Sequence, residues 1–215
     1  MPRPPRSYSR TLAAGAVVLA LLSAGASRAQ PCDSTAACLR LLEAAQRQTR
    51  TITADFVQVK HLSLLDEPLV SSGRFVFKWP DRMLLQVERP QPATVVVNGS
   101  EVQIPNLPER ERQAVAMAPI AAMFTHLGAI FTGSVQGLGE GVEVVAAPDG
   151  AAVVVKLVPR QEKWQRWFRA LEIRFAGREL VAETIRLEDG FGDRLEITLR
   201  NVQRNADVPD ALFAR

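Results

Sequence analysis

From Thr51 onward the chain is a succession of short stretches in which apolar and polar residues alternate, and most of the breaks between them are too short to hold a crossover. Five runs come first: "TITADFVQVKHLSL", "PLVSSGRFVFKW", "RMLLQVERP", "ATVVVNG" and "SEVQIP". Five more follow residue 140: "GVEVVAA", "AAVVVKLVP", "RWFRALEIRF", "LVAETIRLED" and "GDRLEITLRNV". A period of two places every second side chain on one face, so each run reads as a half-buried strand. Strands joined by tight turns pair antiparallel with their neighbours. Asn98-Gly99 is the residue pair that a two-residue hairpin turn prefers, and Pro148-Asp149-Gly150 marks another turn. The expected sheet is an antiparallel meander of about ten strands, wide enough to curl.

Two segments break the alternation. After Cys32, Ser34 or Thr35 can cap a helix running to about Arg50, with Leu39, Leu42, Ala45 and Gln46 near one face. Residues 107–131, "LPERERQAVAMAPIAAMFTHLGAIF", read as two helices broken before Pro119. On the second, Ile120, Met123, Phe124, Leu127, Ile130 and Phe131 fall on one stripe at spacings of three and four. Helices are the natural cover for the open face of a curled sheet, which makes the fold class α+β. The stripe fits ordinary core or the wall of a cavity, and its methionine suits a surface that adapts to varied apolar shapes. The same two readings apply to Phe75, Phe77 and Trp79, and to Met83, Leu85 and Val87 in the next run.

The first 29 residues are expected to be an export signal. Arg3, Arg6 and Arg10 form a basic head, Leu12 to Ala26 an apolar run of 15 residues, and Ser27-Arg28-Ala29 a small-residue cleavage site. That run is short of the roughly 20 residues a membrane span needs. Cleavage after Ala29 would leave residues 30–215 as one exported domain. The leader holds four of the 26 basic residues and no acid, so 22 basic residues remain against 23 acidic ones. That balance offers no basic face for nucleic acid. Cys32 and Cys38, the only cysteines, suit a small-loop disulfide in an oxidising compartment, with free thiols as the alternative.

Enzymatic signatures are missing from the sequence. It holds no Gly-x-Ser-x-Gly elbow, HExxH helix or phosphate loop. With two cysteines, His61 and His126, a zinc site lacks ligands. Asp189 and Asp193 flank Gly190 and Gly192 as a turn does, and Glu109 to Arg112 read as a solvated helix face. No catalytic residue, metal or cofactor is expected.

Four stretches in order, "TADFVQV", "SSGRFVFKWPDRMLLQVERP", "ATVVVNGSEV" and "NVQRNADVPDALF", resemble the LolA family of periplasmic outer-membrane lipoprotein carriers. The resemblance covers most of the chain after the leader. It implies an unclosed antiparallel half-barrel with an N-terminal helix and a helical lid over an apolar cavity that carries acyl chains to the outer membrane. Phe56, Phe75, Phe77, Trp79, Met83, Leu85 and Val87 would line that cavity, and Ile120, Met123, Phe124, Leu127 and Ile130 would face it from the lid. The implied partners are lipoprotein acyl chains or another lipid, an inner-membrane donor and an outer-membrane acceptor, met by a monomer. Three positions depart from the family pattern: Trp79 stands where an Arg precedes the proline, Leu85 where an aromatic is usual, and the chain stops at Arg215 without an extension. A lipid-sensing regulatory module acting on a protein partner shares this half-barrel and is the second reading.

Overall fold

The computed structural model describes residues 32–99, 101–105, 141–165 and 168–214. Ser34 is extended, and its hydroxyl accepts a hydrogen bond from the Ala37 amide, satisfying one of the free donors of the first turn of α1 (Thr35–Gln46). The helix ends four residues before the expected Arg50. The reason is local: the Gln46 side-chain amide donates to the Leu180 carbonyl at 2.6 Å, and the Thr49 hydroxyl donates to Gln46 Oε1 at 3.0 Å. These buried bonds turn the chain out of the helix and into the first strand. Cys32 and Cys38 form a disulfide across the start of α1, with 5.1 Å between their Cα atoms.

Ten strands follow: β1 (Thr51–His61), β2 (Leu69–Lys78), β3 (Arg82–Arg89), β4 (Ala93–Asn98), β5 (Glu101–Gln103), β6 (Val142–Asp149), β7 (Ala152–Pro159), β8 (Phe168–Ala176), β9 (Val181–Asp189) and β10 (Arg194–Arg204). They form one antiparallel sheet in the order β5-β4-β3-β2-β1-β10-β9-β8-β7-β6. Two meanders are thus joined along the β1–β10 seam, where Phe56 lies opposite Leu199. The sheet stays open, because its edges, β5 and β6, are not paired with each other. Residues 106–140, which carry the expected lid helices, lie outside the described residues.

Turns at the lower end of the sheet include 79–81, 150–151 and 177–180; those at the upper end include 62–68, 90–92 and 190–193. Gly99 has φ +62° in the β4–β5 turn, the left-handed conformation that the Asn-Gly pair anticipates. At the upper end the Ser63 amide donates to Asp193 at 2.8 Å, which ties the β1–β2 loop to the β9–β10 turn. That hydrogen bond holds the Asp193 carboxyl below its usual range.

The two faces differ. On the outer face, strands β6, β8, β9 and β10 carry ion pairs: Arg174 with Asp149 (2.9 Å) and Glu183, and Arg186 with Glu196 (2.8 Å) and Glu172 (3.4 Å). Across β2, β3 and β4 the outer face is apolar instead, with Val76, Leu84 and Val96 in register. The chain end covers it: Val208 and Phe213, the latter in a 3₁₀ turn (Asp210–Phe213), are buried against these three. The inner face carries the main core, onto which α1 packs through Cys38 and Leu42.

Candidate functional site

Register decides which side chains meet on the inner face, since cross-strand partners point the same way. Ile52 lies opposite Phe77, and Ala54 opposite Phe75. Phe77 faces Met83 and Phe75 faces Leu85, while Gly73 faces Val87. The rows continue through Val97 and Val95 on β4. Beyond the seam, Ile197 lies opposite Ile185, and Leu195 opposite Leu187. Six of the seven expected sheet positions therefore come together. Phe56, Phe75, Phe77 and Met83 are buried in one cluster, and Leu85 and Val87 pack against it.

Trp79 does not join them. Continued alternation would have placed it beside Phe77, but β2 ends at Lys78. The Trp79 amide donates to the Arg50 carbonyl at 2.7 Å, and the indole, half-exposed, lies under the Arg50 guanidinium at 4.9 Å. It is a cap on the lower end of the sheet. Ile120, Met123, Phe124, Leu127 and Ile130 lie outside the described residues.

Half of the face was not named from sequence. Val153, Val155, Leu157, Leu171, Ile173, Phe175, Ile185 and Leu199 belong to the same cluster as Phe56 and Phe77. The period-two alternation that marks β2 and β3 was present in those runs too. It identifies a face and leaves open which faces share one interior.

Burial falls along the strands. Near the lower end, Ile52, Phe77, Val97 and Phe175 are buried. Toward the upper end, Val87 on β3, Leu187 on β9 and Ile197 on β10 are only partly covered. Leu69, at the upper end of β2 and on the inner face, is exposed. Displaced ionisations among the described residues belong to other places: Arg174 and Arg186, raised by the hydrogen bonds they donate to Asp149 and Glu196, and Asp193 and Asp210, both lowered. Among the described residues no three acidic, histidine or cysteine side chains converge as a metal site would require. The inner face can hold apolar matter by area, and among the described residues no acid–base pair is set against it.

A model of the family described as outer membrane lipoprotein carrier protein LolA matches residues 47–215. The outer-membrane lipoprotein carrier protein of Dechloromonas aromatica (strain RCB) is 26% identical over 205 residues, which is 92% of each chain. Its counterpart in Azotobacter vinelandii is 26% identical over 194 residues, or 90% of each chain. Among solved structures, a LolA superfamily protein from Nitrosomonas europaea is similar at TM-score 0.44 and 8% identity, over 86% of this chain and 99% of that one. MucB is similar at TM-score 0.47 and 14% identity, over 83% of this chain and 62% of its own length.

Proposed function

The chain belongs to the LolA family of outer membrane lipoprotein carrier proteins, and we propose that it takes up the acyl chains of lipoproteins, or of another lipid, against the inner face of its open sheet and ferries them through the periplasm toward the outer membrane. The observation that carries this is the extent of the apolar inner face. It runs from fully buried Phe77 and Phe175 to partly covered Val87, Leu187 and Ile197, broken at one rung by Gln58 and Ser71. An acyl chain laid along it needs no polar contact, since each Å² of apolar surface withdrawn from water contributes roughly 25 cal/mol. The contribution depends on area and not on the shape of the peptide attached, so one carrier serves many acylated cargoes.

The apolar stripe of Ile120, Met123, Phe124, Leu127 and Ile130 would then cover the open side as a lid. The leader ending at Ala29 would deliver the chain to the periplasm, where an inner-membrane donor loads it and an outer-membrane acceptor unloads it. The test is to recover the protein from the periplasm and identify what it has bound by mass spectrometry of an organic extract. Acylated molecules in stoichiometric amount are expected. Protein that is lipid-free, and that fails to bind an added acylated peptide, would overturn the reading.

A further inference from the structure

Two polar residues interrupt the apolar inner face at one level. Gln58 lies two positions beyond buried Phe56 on β1, and on the β10 side its partner is Ile197, which packs on the core. On the other side its partner is Ser71 of β2. Both side chains therefore point inward, facing each other across the β1–β2 ladder. The Ser71 hydroxyl oxygen is buried and has no hydrogen-bond partner. The Gln58 amide makes no side-chain hydrogen bond within the described residues. One rung below, Phe56 lies opposite Gly73; one rung above, Lys60 lies opposite exposed Leu69. The pair thus sits at the boundary between the buried apolar surface and the wet upper rim.

An unpartnered hydroxyl in an apolar wall is costly unless a ligand supplies what is missing. Ser71 offers one donor and Gln58 two, side by side. Acyl chains bring one polar group into such a site: the carbonyl oxygen of their ester or amide link, an acceptor at the head of an apolar tail. From Gln58 down to Ile52 is six strand residues, about 20 Å of apolar wall below the rung. Resting on the carrier reading, we propose that Gln58 and Ser71 form a polar rung that hydrogen-bonds the acyl carbonyl and so fixes the depth at which cargo sits. The tail lies below it, over Phe56 and Phe75, and the head group above, at the rim. The recognised chemistry is an acyl carbonyl, whether from a glycerolipid ester or from the amide of an acylated peptide.

The test compares three probes on the full mature protein: dipalmitoylglycerol, its dialkyl ether analogue of equal chain length, and an N-palmitoyl peptide. The ester should bind about fivefold or more tightly than the ether, the equivalent of one neutral hydrogen bond. Gln58→Leu and Ser71→Ala should each pull the ester toward the ether's affinity and leave the ether within about twofold. Ser71→Ala removes a single oxygen and answers the question even where Gln58→Leu folds poorly. A matching loss for the N-palmitoyl peptide assigns the rung to acyl amides as well; a loss confined to the ester assigns it to glycerolipids. Ester and ether binding equally well, or a preference that survives both substitutions, would overturn the rung and leave the carrier reading standing. Failure of the unmodified protein to bind any of the three would overturn both.

Discussion

Gly73 is the residue at which the sheet has least room. A Cβ placed there would lie 1.9 Å from the Gln86 carbonyl oxygen, and the register between β2 and β3 shifts between Ser72 and Gly73. The obstruction is backbone and cannot swing aside. Gly73→Ala should therefore destabilise the protein by about 1–3 kcal/mol, read as a lower midpoint in chemical denaturation. Phe77 and Trp79 form a second contrast, two residues apart in sequence and opposite in burial. Phe77→Ala should cost about 3–5 kcal/mol, because it empties a closed site. Trp79→Ala should cost about 1 kcal/mol or less, the stacking on Arg50 being half in water. Equal losses at the two positions would show that Trp79 shares the interior after all. Alternation made Phe75 and Phe77 legible as inward-facing. It misplaced Trp79 because a period of two holds only while the strand lasts, and β2 stops at Lys78.

Among the elements, the C-terminal segment was the least visible in the sequence and has a definite task. Asn205 takes a left-handed φ of +58° and accepts a hydrogen bond from the Arg50 amide, which redirects the chain from the seam to the back of the sheet. There Lys78 donates to the Val208 carbonyl at 2.6 Å, and Lys78 and Arg82 both meet Asp210, at 2.5 and 2.9 Å. Hydrogen bonds from Lys78 and then Arg82 hold the Asp210 carboxyl below its usual range. A depressed carboxyl stabilises the folded form above the unfolded value, about 3.9, and loses that contribution as pH falls through the lower folded value. Protection factors against hydrogen exchange over residues 205–214, which are corrected for the intrinsic pH dependence of amide exchange, should therefore fall on acidification through this window. In Asp210→Asn they should already be lower at neutral pH and should change little with acid. An Asp210→Asn protein with the parent's acid response would place the titrating group elsewhere.

At the scale of the whole molecule the question is how an open sheet manages its exposed edges and its apolar inside. One edge is partly satisfied by α1: the Thr35 hydroxyl donates to the Ala146 carbonyl at 3.0 Å and accepts from the Ala146 amide at 3.3 Å, blunting β6. The two edge strands, β5 and β6, are consecutive among the described strands. Under the carrier reading, Phe124→Asp would put an unpaired charge against apolar cargo and wall. Retention of an N-palmitoyl peptide should fall at least tenfold, on the order of 1.4 kcal/mol, while the melting temperature falls less than in Phe77→Ala. Unchanged retention would remove Phe124 from the lid.

Strand number, antiparallel order and the inward faces of β2 and β3 were determined by the sequence alone. The physical reason is that period-two alternation and short turns act between neighbours along the chain. The disulfide followed from a compartment argument and two nearby cysteines. Tertiary structure alone decided which faces share an interior, so that Val155, Ile173 and Leu199 meet Phe56 and Phe77. It decided that α1 stops at Gln46, because Leu180 supplies the buried partner from 134 positions away. It also placed Gln58 opposite Ser71, a juxtaposition set by cross-strand register. Contacts between residues far apart in the chain leave no periodic trace in it, because the packing that selects them exists only once the sheet has curled and its two halves have met along β1 and β10.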